Sequence, residues 1–154
     1  MSRAEAYAQA AREILSVLDG EPNLTARYAT VACLLAQTFP DHIWTGFYLV
    51  DPDKPDELVV GPYQGTLGCL RIPFGRGVCG AAAATGETQV VHDVHDFPGH
   101  IACDARSVSE IVVPVRDADG RLLGVLDIDS PEAGTFGEAD RHALETLVAA
   151  VFAA

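Results

Sequence analysis

Apolar residues near the N-terminus recur at the spacing of a helix. Ser2 and Glu5 form a capping-box pattern ahead of the first such run, and Gly20 marks its end, which predicts a first helix. Asn23 is suited to cap a second helix whose apolar positions run nearly all round it, as in a buried helix. We expect two N-terminal helices within residues 3–38.

After the second helix the pattern changes to short runs rich in β-branched and aromatic residues, separated by turn residues, which indicates strands. The turn clusters DPDKPDE and DADG predict hairpins. The predicted strands are 43–50, 58–61, 69–73, 88–91, 110–115 and 122–129. A short helix is expected at 81–85, and residues 92–106, which have no periodicity, are expected to form a loop.

An amphipathic pattern closes the chain and predicts a helix over 138–152. Thr135 and Glu138 repeat the capping-box spacing just before it. The order of elements favours one α+β domain over 1–154, with the sheet and its loops in 43–130 as a central antiparallel layer flanked by helices.

Composition narrows the class of protein. The chain has 154 residues, of which 49% are hydrophobic, enough for one core without disulfides or a metal. Its formal net charge of −12 repels phosphate backbones and anionic lipid, so we expect neither a nucleic-acid partner nor a membrane surface. No signal peptide or long apolar span is evident, and we expect a cytoplasmic protein whose cysteines are not structural disulfides.

The stretch from Cys69 to Cys103 holds three of the four cysteines and three of the five histidines. Cys103 is predicted in a polar loop, an accessible setting that suits a nucleophile, and the fold could bring Cys69 to it. One thiol that attacks and a second that resolves are what a reductive cycle requires. Cys79, at a predicted helix start, is suited either to a lowered pKa or to burial. Cys33, on an apolar helix, is interpreted as a buried small hydrophobe.

Two other motifs point to different chemistry. Gly75, Gly77 and Gly80 fit G-x-G-x-x-G, but the pattern lies in mid-chain before a helix too short for a crossover, so a tight turn is favoured over a dinucleotide site. A zinc site could in principle be formed by residues of the loop region, but no C-x-x-C pair exists. The residues considered for it are Cys79, His92, His95, His100 and Cys103. We expect no metal and no cofactor.

Carboxylates in the last two strands form a third candidate. Asp127 and Asp129 alternate with apolar residues and so share one face of their strand, and Glu110 opens the neighbouring strand. Such acids either lie on a solvated sheet surface or surround a cation such as an ammonium group. Trp44 is suited to the core or to a pocket wall that packs a thioether or sulfoxide methyl.

Longer motifs carry a resemblance that covers most of the chain. The motifs are WTGFYL at 44–49, GPYQG at 61–65, CLRIPFGRGVCG at 69–80, DVHDFPGHIACD at 93–104, SEIVVPV at 109–115 and LDIDS at 126–130. Together they closely resemble the free methionine-R-sulfoxide reductases, which are built on a single GAF domain. The resemblance implies that fold, reduction of the R-sulfoxide of the free amino acid, and recycling by thioredoxin.

The same resemblance implies roles for individual residues. Cys103 is similar to the catalytic cysteine of the family, Cys69 to its main resolving cysteine, and Cys79 to a third cysteine with a supporting or alternative resolving role.

Glu110 and the acids Asp127 and Asp129 match substrate-binding carboxylates, and the motifs do not decide which aspartate matters more. Trp44 is expected to line the substrate pocket. Gly68 and Tyr63 look like ordinary variable positions.

The alternative is a non-catalytic GAF module that binds a small ligand for signalling. The sequence continues for little beyond its predicted last helix, so we expect no output domain, and three cysteines near one pocket have no obvious use in a sensor. The oligomeric state is left open, with a homodimer as one option.

Overall fold

The computed structural model describes residues 1–100 and 104–154, which form four helices, six strands and a 3₁₀ turn. Cys103 therefore lies outside the described residues. In chain order the elements are α1 (Arg3–Val17), α2 (Leu24–Thr38), β1 (Trp44–Asp51), β2 (Lys54–Gly65), β3 (Arg71–Pro73), α3 (Gly77–Thr85), β4 (Gln89–Val91), a 3₁₀ turn (Val94–Asp96), β5 (Ser109–Arg116), β6 (Leu122–Ser130) and α4 (Glu138–Phe152).

The strands form a single six-stranded sheet in the order β3-β2-β1-β6-β5-β4. Every neighbouring pair runs antiparallel, as the hairpin signals predict. The first and last long strands, β1 and β6, lie next to each other at its centre. The predicted α+β class with an antiparallel sheet is confirmed.

The helices cover the two faces of this sheet unequally. One face carries three helices, α1, α2 and α4; of these, α2 packs against β1 and β2, and α4 packs against β5. The other face carries α3 alone, which packs against β3 to β6. Each face buries its own apolar cluster. α1 contributes Tyr7, Ala10 and Ile14 to the first cluster, so the N-terminal helix shares the core of the domain.

Side-chain alternation along the central strands determines which residues reach the α3 face. On β6, Leu126 and Ile128 belong to the cluster under the three helices, and the period of two turns Asp127 and Asp129 to the opposite face. The acids therefore lie on the face that carries the single short helix, where the sheet is covered by α3 and loops.

Local caps account for the helix ends, with one correction. The Ser2 hydroxyl accepts from the Glu5 N–H at 3.1 Å and the Asn23 side chain accepts from the Ala26 N–H at 3.0 Å, as predicted for α1 and α2. The predicted capping box of α4 is wrong, because the helix is preceded by Gly137, whose N–H donates to Asp140 at 2.9 Å.

Two element boundaries also differ from the sequence prediction. β2 begins at Lys54, inside the predicted turn cluster, because pairing with β1 extends to a two-residue turn. α3 begins at Gly77 rather than at residue 81, so the glycine-rich segment is itself the first turn of the helix. Among the described residues, none of the helices combines the length and apolarity needed to cross a bilayer.

Candidate active site on the α3 face

Three carboxyl groups meet on the α3 face of the sheet. The strand register places Glu110 directly opposite Asp129, and Asp127 follows on the same face of β6. Glu110 and Asp127 are each 5% exposed and Asp129 is 9% exposed. The interpretation of these acids as a solvated sheet surface is therefore wrong.

Burial changes the protonation of these groups. Because desolvation disfavours the charged form, it raises the pKa of Glu110 and of Asp129 well above their ordinary values and that of Asp127 less strongly. Asp127 Oδ1 is buried and has no hydrogen-bond partner among the residues that the structure describes. A proton shared between two carboxyls satisfies only some of the oxygen acceptors in this cluster. The cluster is therefore suited to a cationic hydrogen-bond donor such as an ammonium group.

An aromatic stack forms the wall beside the carboxyls. Trp44 lies opposite Asp129 across the β1–β6 pair, and its ring stacks with Tyr48 at 5.3 Å and with Tyr63 at 4.9 Å. The indole N–H donates to the Thr66 carbonyl at 2.9 Å, which holds the ring in place. This wall is apolar and rigid, as packing of a methyl or thioether group requires.

Gly68 completes the wall, so its interpretation as an ordinary variable position is wrong. It lines a cavity of about 50 Å³ together with Trp44, Tyr48 and the three acids. A Cβ at this position would lie 2.9 Å from Trp44 Cζ2 and 3.0 Å from Tyr48 Oη. Only glycine fits there without moving an aromatic ring, a constraint that no local sequence signal carries. Tyr63 is likewise no ordinary position, because it supports Trp44.

The start of α3 also lines the cavity, to which Gly77 and Val78 contribute. The first N–H groups of a helix have no partner within it and carry the positive end of its dipole. Gly75 and Gly77 have φ values of +83° and +63°, and a Cβ at Gly80 would lie 2.5 Å from the Pro73 carbonyl oxygen. The glycines therefore serve a tight turn, as favoured above, and they bring backbone donors to the cavity.

Cys79 lies in the first turn of α3 and is 3% exposed. Its thiol lies 3.9 Å from Glu110 Oε2. Burial and the neighbouring acids raise the pKa of the Cys79 thiol well above its ordinary value, so burial, and not activation by the helix dipole, describes this residue.

The segment that begins at Asp104 also reaches the cavity. Asp104 and Ser107 line it, as does His100. Asp104 accepts from the Thr66 hydroxyl at 2.8 Å and from the Arg106 side chain, and these bonds hold the pKa of its carboxyl well below the usual range. The loop is thus tied to the end of β2, a long-range contact that sequence patterns do not indicate.

Comparison with known proteins agrees with this geometry. The GAF domain family matches residues 25–154. Free methionine-R-sulfoxide reductase of Escherichia coli is 46% identical over 149 residues, covering 97% of this chain and 88% of the relative. The chain belongs to the free methionine-R-sulfoxide reductase family of GAF-domain proteins. The enzyme of that name from Saccharomyces cerevisiae is 43% identical, with coverage of 84% of this chain and 74% of the relative.

A solved member of the free methionine-R-sulfoxide reductase family extends the comparison to structure. The enzyme from Neisseria meningitidis, determined in complex with its substrate, superposes with a TM-score of 0.91 at 48% identity. The match covers 96% of this chain and 87% of that one. The similarity therefore includes the sheet, the helices and the face that carries the acids.

The three cysteines that the structure describes stand in different states. Cys69 is disulfide-bonded, whereas Cys79 and Cys33 are free thiols. Cys33 is only partly buried, so its interpretation as a buried small hydrophobe is wrong. The catalytic role expected for Cys103 falls outside the described residues and stays a prediction.

The three histidines considered for a zinc site lie in different surroundings in this protein. The His92 ring lies against Gly134, His95 pairs with Asp93 at 2.8 Å, and only His100 lines the cavity. Within the described ranges, the ligand set that lies close enough for a metal ion comprises Cys79, Glu110 and Asp127 instead.

Proposed function

We propose that this protein reduces free methionine-R-sulfoxide to methionine by cysteine chemistry. The observation that carries the proposal is the buried carboxyl cluster beside the stacked Trp44, in which Asp127 Oδ1 has no hydrogen-bond partner among the residues described. A free amino acid brings an ammonium group to such acids and a sulfur-bound methyl to such a wall. The Neisseria meningitidis relative, solved with its substrate, has the same fold.

Substrate recognition uses three sides of the cavity. Glu110, Asp127 and Asp129 hold the ammonium group, Trp44 packs the methyl end, and the N–H groups at the start of α3 hold the carboxylate. A peptide-linked residue lacks both charged ends, so it would leave the buried carboxyls without a partner. Because such unpaired buried groups cost about 1–3 kcal/mol each, peptides are rejected.

The reaction is a two-electron reduction of the sulfoxide. The Cys103 thiolate attacks the sulfoxide sulfur, the oxygen passes to the cysteine with one proton taken up, and methionine leaves with Cys103 as a sulfenic acid. A protonated carboxyl of the cluster is a suitable proton source, because burial raises its pKa. The Cys69 thiol then condenses with the sulfenic acid, giving a disulfide and releasing water.

The state of the other cysteines supports this division of roles. Cys69 is the described cysteine that is disulfide-bonded, which suits a resolving residue. Cys79 is buried with a raised pKa, which disfavours attack by its thiolate and suits a supporting role. Thioredoxin, or another dithiol protein, reopens the disulfide by exchange, and this cycle belongs to a reducing compartment such as the cytoplasm.

Single-turnover assays test the cysteine roles. Cys103→Ser should form no methionine, whereas Cys69→Ser should form one equivalent and then stop, with a sulfenic acid at Cys103 detectable by mass spectrometry. Cys33→Ser is the matched control and should cycle normally, because Cys33 lies on the opposite side of the sheet on α2. One equivalent of methionine from Cys103→Ser would remove that residue from the chemistry, and full thioredoxin-dependent cycling by Cys69→Ser would move the resolving role to Cys79.

Thiol titration separates the enzyme from a GAF sensor module. The reduced protein should lose two thiols per chain when free methionine-R-sulfoxide is added, because one turnover forms one disulfide. The S-sulfoxide is the control and should leave the thiol count unchanged. Binding of the R-sulfoxide without thiol loss would favour the sensor.

A further inference from the structure

A thiol and two carboxyl groups converge in the cavity that the aromatic wall lines. Ligand atoms of Cys79, Glu110 and Asp127 all lie within 4.8 Å of one another, and all three residues are buried. The Cys79 sulfur and Glu110 Oε2 are 3.9 Å apart. The residues come from α3, β5 and β6, so the fold assembles this set from three separate elements.

These separations suit a small divalent ion. Zinc bonds to sulfur and carboxylate oxygen are about 2.0–2.3 Å long, which at tetrahedral angles separates the ligand atoms by about 3.3–3.8 Å. The Cys79 sulfur and Glu110 Oε2, at 3.9 Å, are close to that range, and movements of no more than about 1 Å bring the whole set, now within 4.8 Å, to its upper end. A fourth position then faces the cavity.

Two features distinguish this set from an ordinary acidic cluster. Asp127 Oδ1 has no hydrogen-bond partner in the part of the chain that the structure describes, although the residue is only 5% exposed and lines the cavity. Cys79 adds a soft sulfur ligand, which an ammonium site does not require. A sulfur ligand favours Zn²⁺ over Mg²⁺ and Ca²⁺, which prefer oxygen.

We propose that Cys79, Glu110 and Asp127 form a binding site for one thiophilic divalent ion such as Zn²⁺. The ion is not a cofactor for the proposed reaction. It takes the same carboxylates that are proposed to hold the substrate ammonium group, so ion and substrate exclude each other. Direct ion binding does not depend on the reductase proposal, whereas this mutual exclusion rests on it.

Cobalt titration of the oxidised protein tests the site. In that form Cys69 is disulfide-bonded, and a thiol assay must first confirm two free thiols per chain, assigned to Cys33 and Cys79. Co²⁺ should bind once per chain with a thiolate-to-cobalt charge-transfer band in the near ultraviolet, and Zn²⁺ should displace it.

Variants assign the ligands. Cys79→Ser should lose the charge-transfer band and Cys33→Ser should retain it. Asp127→Asn should weaken zinc binding at least about tenfold. Even the loss of a residue that only hydrogen-bonds to a metal ligand lowers metal affinity about 10- to 100-fold. Circular dichroism confirms that each variant is folded.

The outcomes separate the two proposals. A band that survives in Cys79→Ser, or the lack of one-to-one binding by the unaltered protein, would overturn the ion site. Zinc should also inhibit methionine sulfoxide reduction competitively, with full recovery after chelation. One-to-one binding at Cys79 without inhibition would keep the ion site and contradict the placement of the substrate ammonium group.

Discussion

Replacing Asp127 by asparagine should stabilise the free protein while weakening substrate binding. The change keeps the shape of the side chain but removes one of three buried carboxyls. The new amide can donate to Glu110, and Oδ1, which has no hydrogen-bond partner within residues 1–100 and 104–154, becomes a neutral amide oxygen. The site thus holds a structural cost that a cationic ligand offsets.

The size of both effects follows from the contacts. A buried polar group without a partner costs about 1–3 kcal/mol, so relief of this cost should raise Tm by about 2–4 °C per kcal/mol in a domain of this size. Loss of a hydrogen bond to the charged ammonium group costs about 1.5–3 kcal/mol. KM for free methionine-R-sulfoxide should therefore rise about 10- to 150-fold.

Thermal denaturation without ligand and steady-state kinetics measure the two effects. Asp119→Asn is the matched control, because Asp119 is exposed in the turn between β5 and β6 and should change neither quantity. An Asp127→Asn protein that is less stable than the parent, or whose KM is unchanged, would refute the reasoning about this cluster.

Three further predictions concern other parts of the molecule. Burial raises the pKa of Glu110 above its ordinary value of 4.5, so the free protein should lose stability as the pH rises from 4.5 through the raised pKa. The Tm of Glu110→Gln should therefore exceed that of the parent by an amount that grows with pH, and a gain independent of pH would contradict this. Gly68→Ala should raise KM because the new Cβ meets the aromatic wall. Gly137→Ala is the control and should leave KM unchanged, because a Cβ there has open space. A KM of Gly68→Ala equal to that of the parent would remove Gly68 from the site. Tyr7→Phe removes the 2.7 Å hydrogen bond to Asp140 and should lower the free energy of unfolding by about 1.5–3 kcal/mol, which chemical denaturation measures. KM should stay unchanged in steady-state kinetics.

Local signals were sufficient for most of the secondary structure. The helix caps at Ser2 and Asn23 and the Asp-Gly hairpin place α1, α2 and the β5–β6 pair to within about two residues, because side-chain capping and turn chemistry act between near neighbours. β2 was predicted too short, since its extension depends on pairing with β1 and not on its own composition. The glycines before residue 81 concealed the start of α3, where packing against the sheet overrides their low helix propensity.

The site divides in the same way. The alternation of Asp127 and Asp129 and the proximity of Glu110 are properties of strand period and pairing, so they were predictable. Their burial was not, because whether a sheet face meets water or a helix is a matter of layer packing.

The amino-acid sequence alone determined the elements, the antiparallel α+β class, the family resemblance and the residue types available for chemistry. The tertiary structure decided that Trp44 stacks with two tyrosines, that Gly68 has no room for a side chain, and that Cys79 lies buried against the acids. The reason is physical: capping, turns and strand alternation are set by residues a few positions apart, whereas burial, the pKa shifts and close approach arise from contacts between segments far apart in the chain.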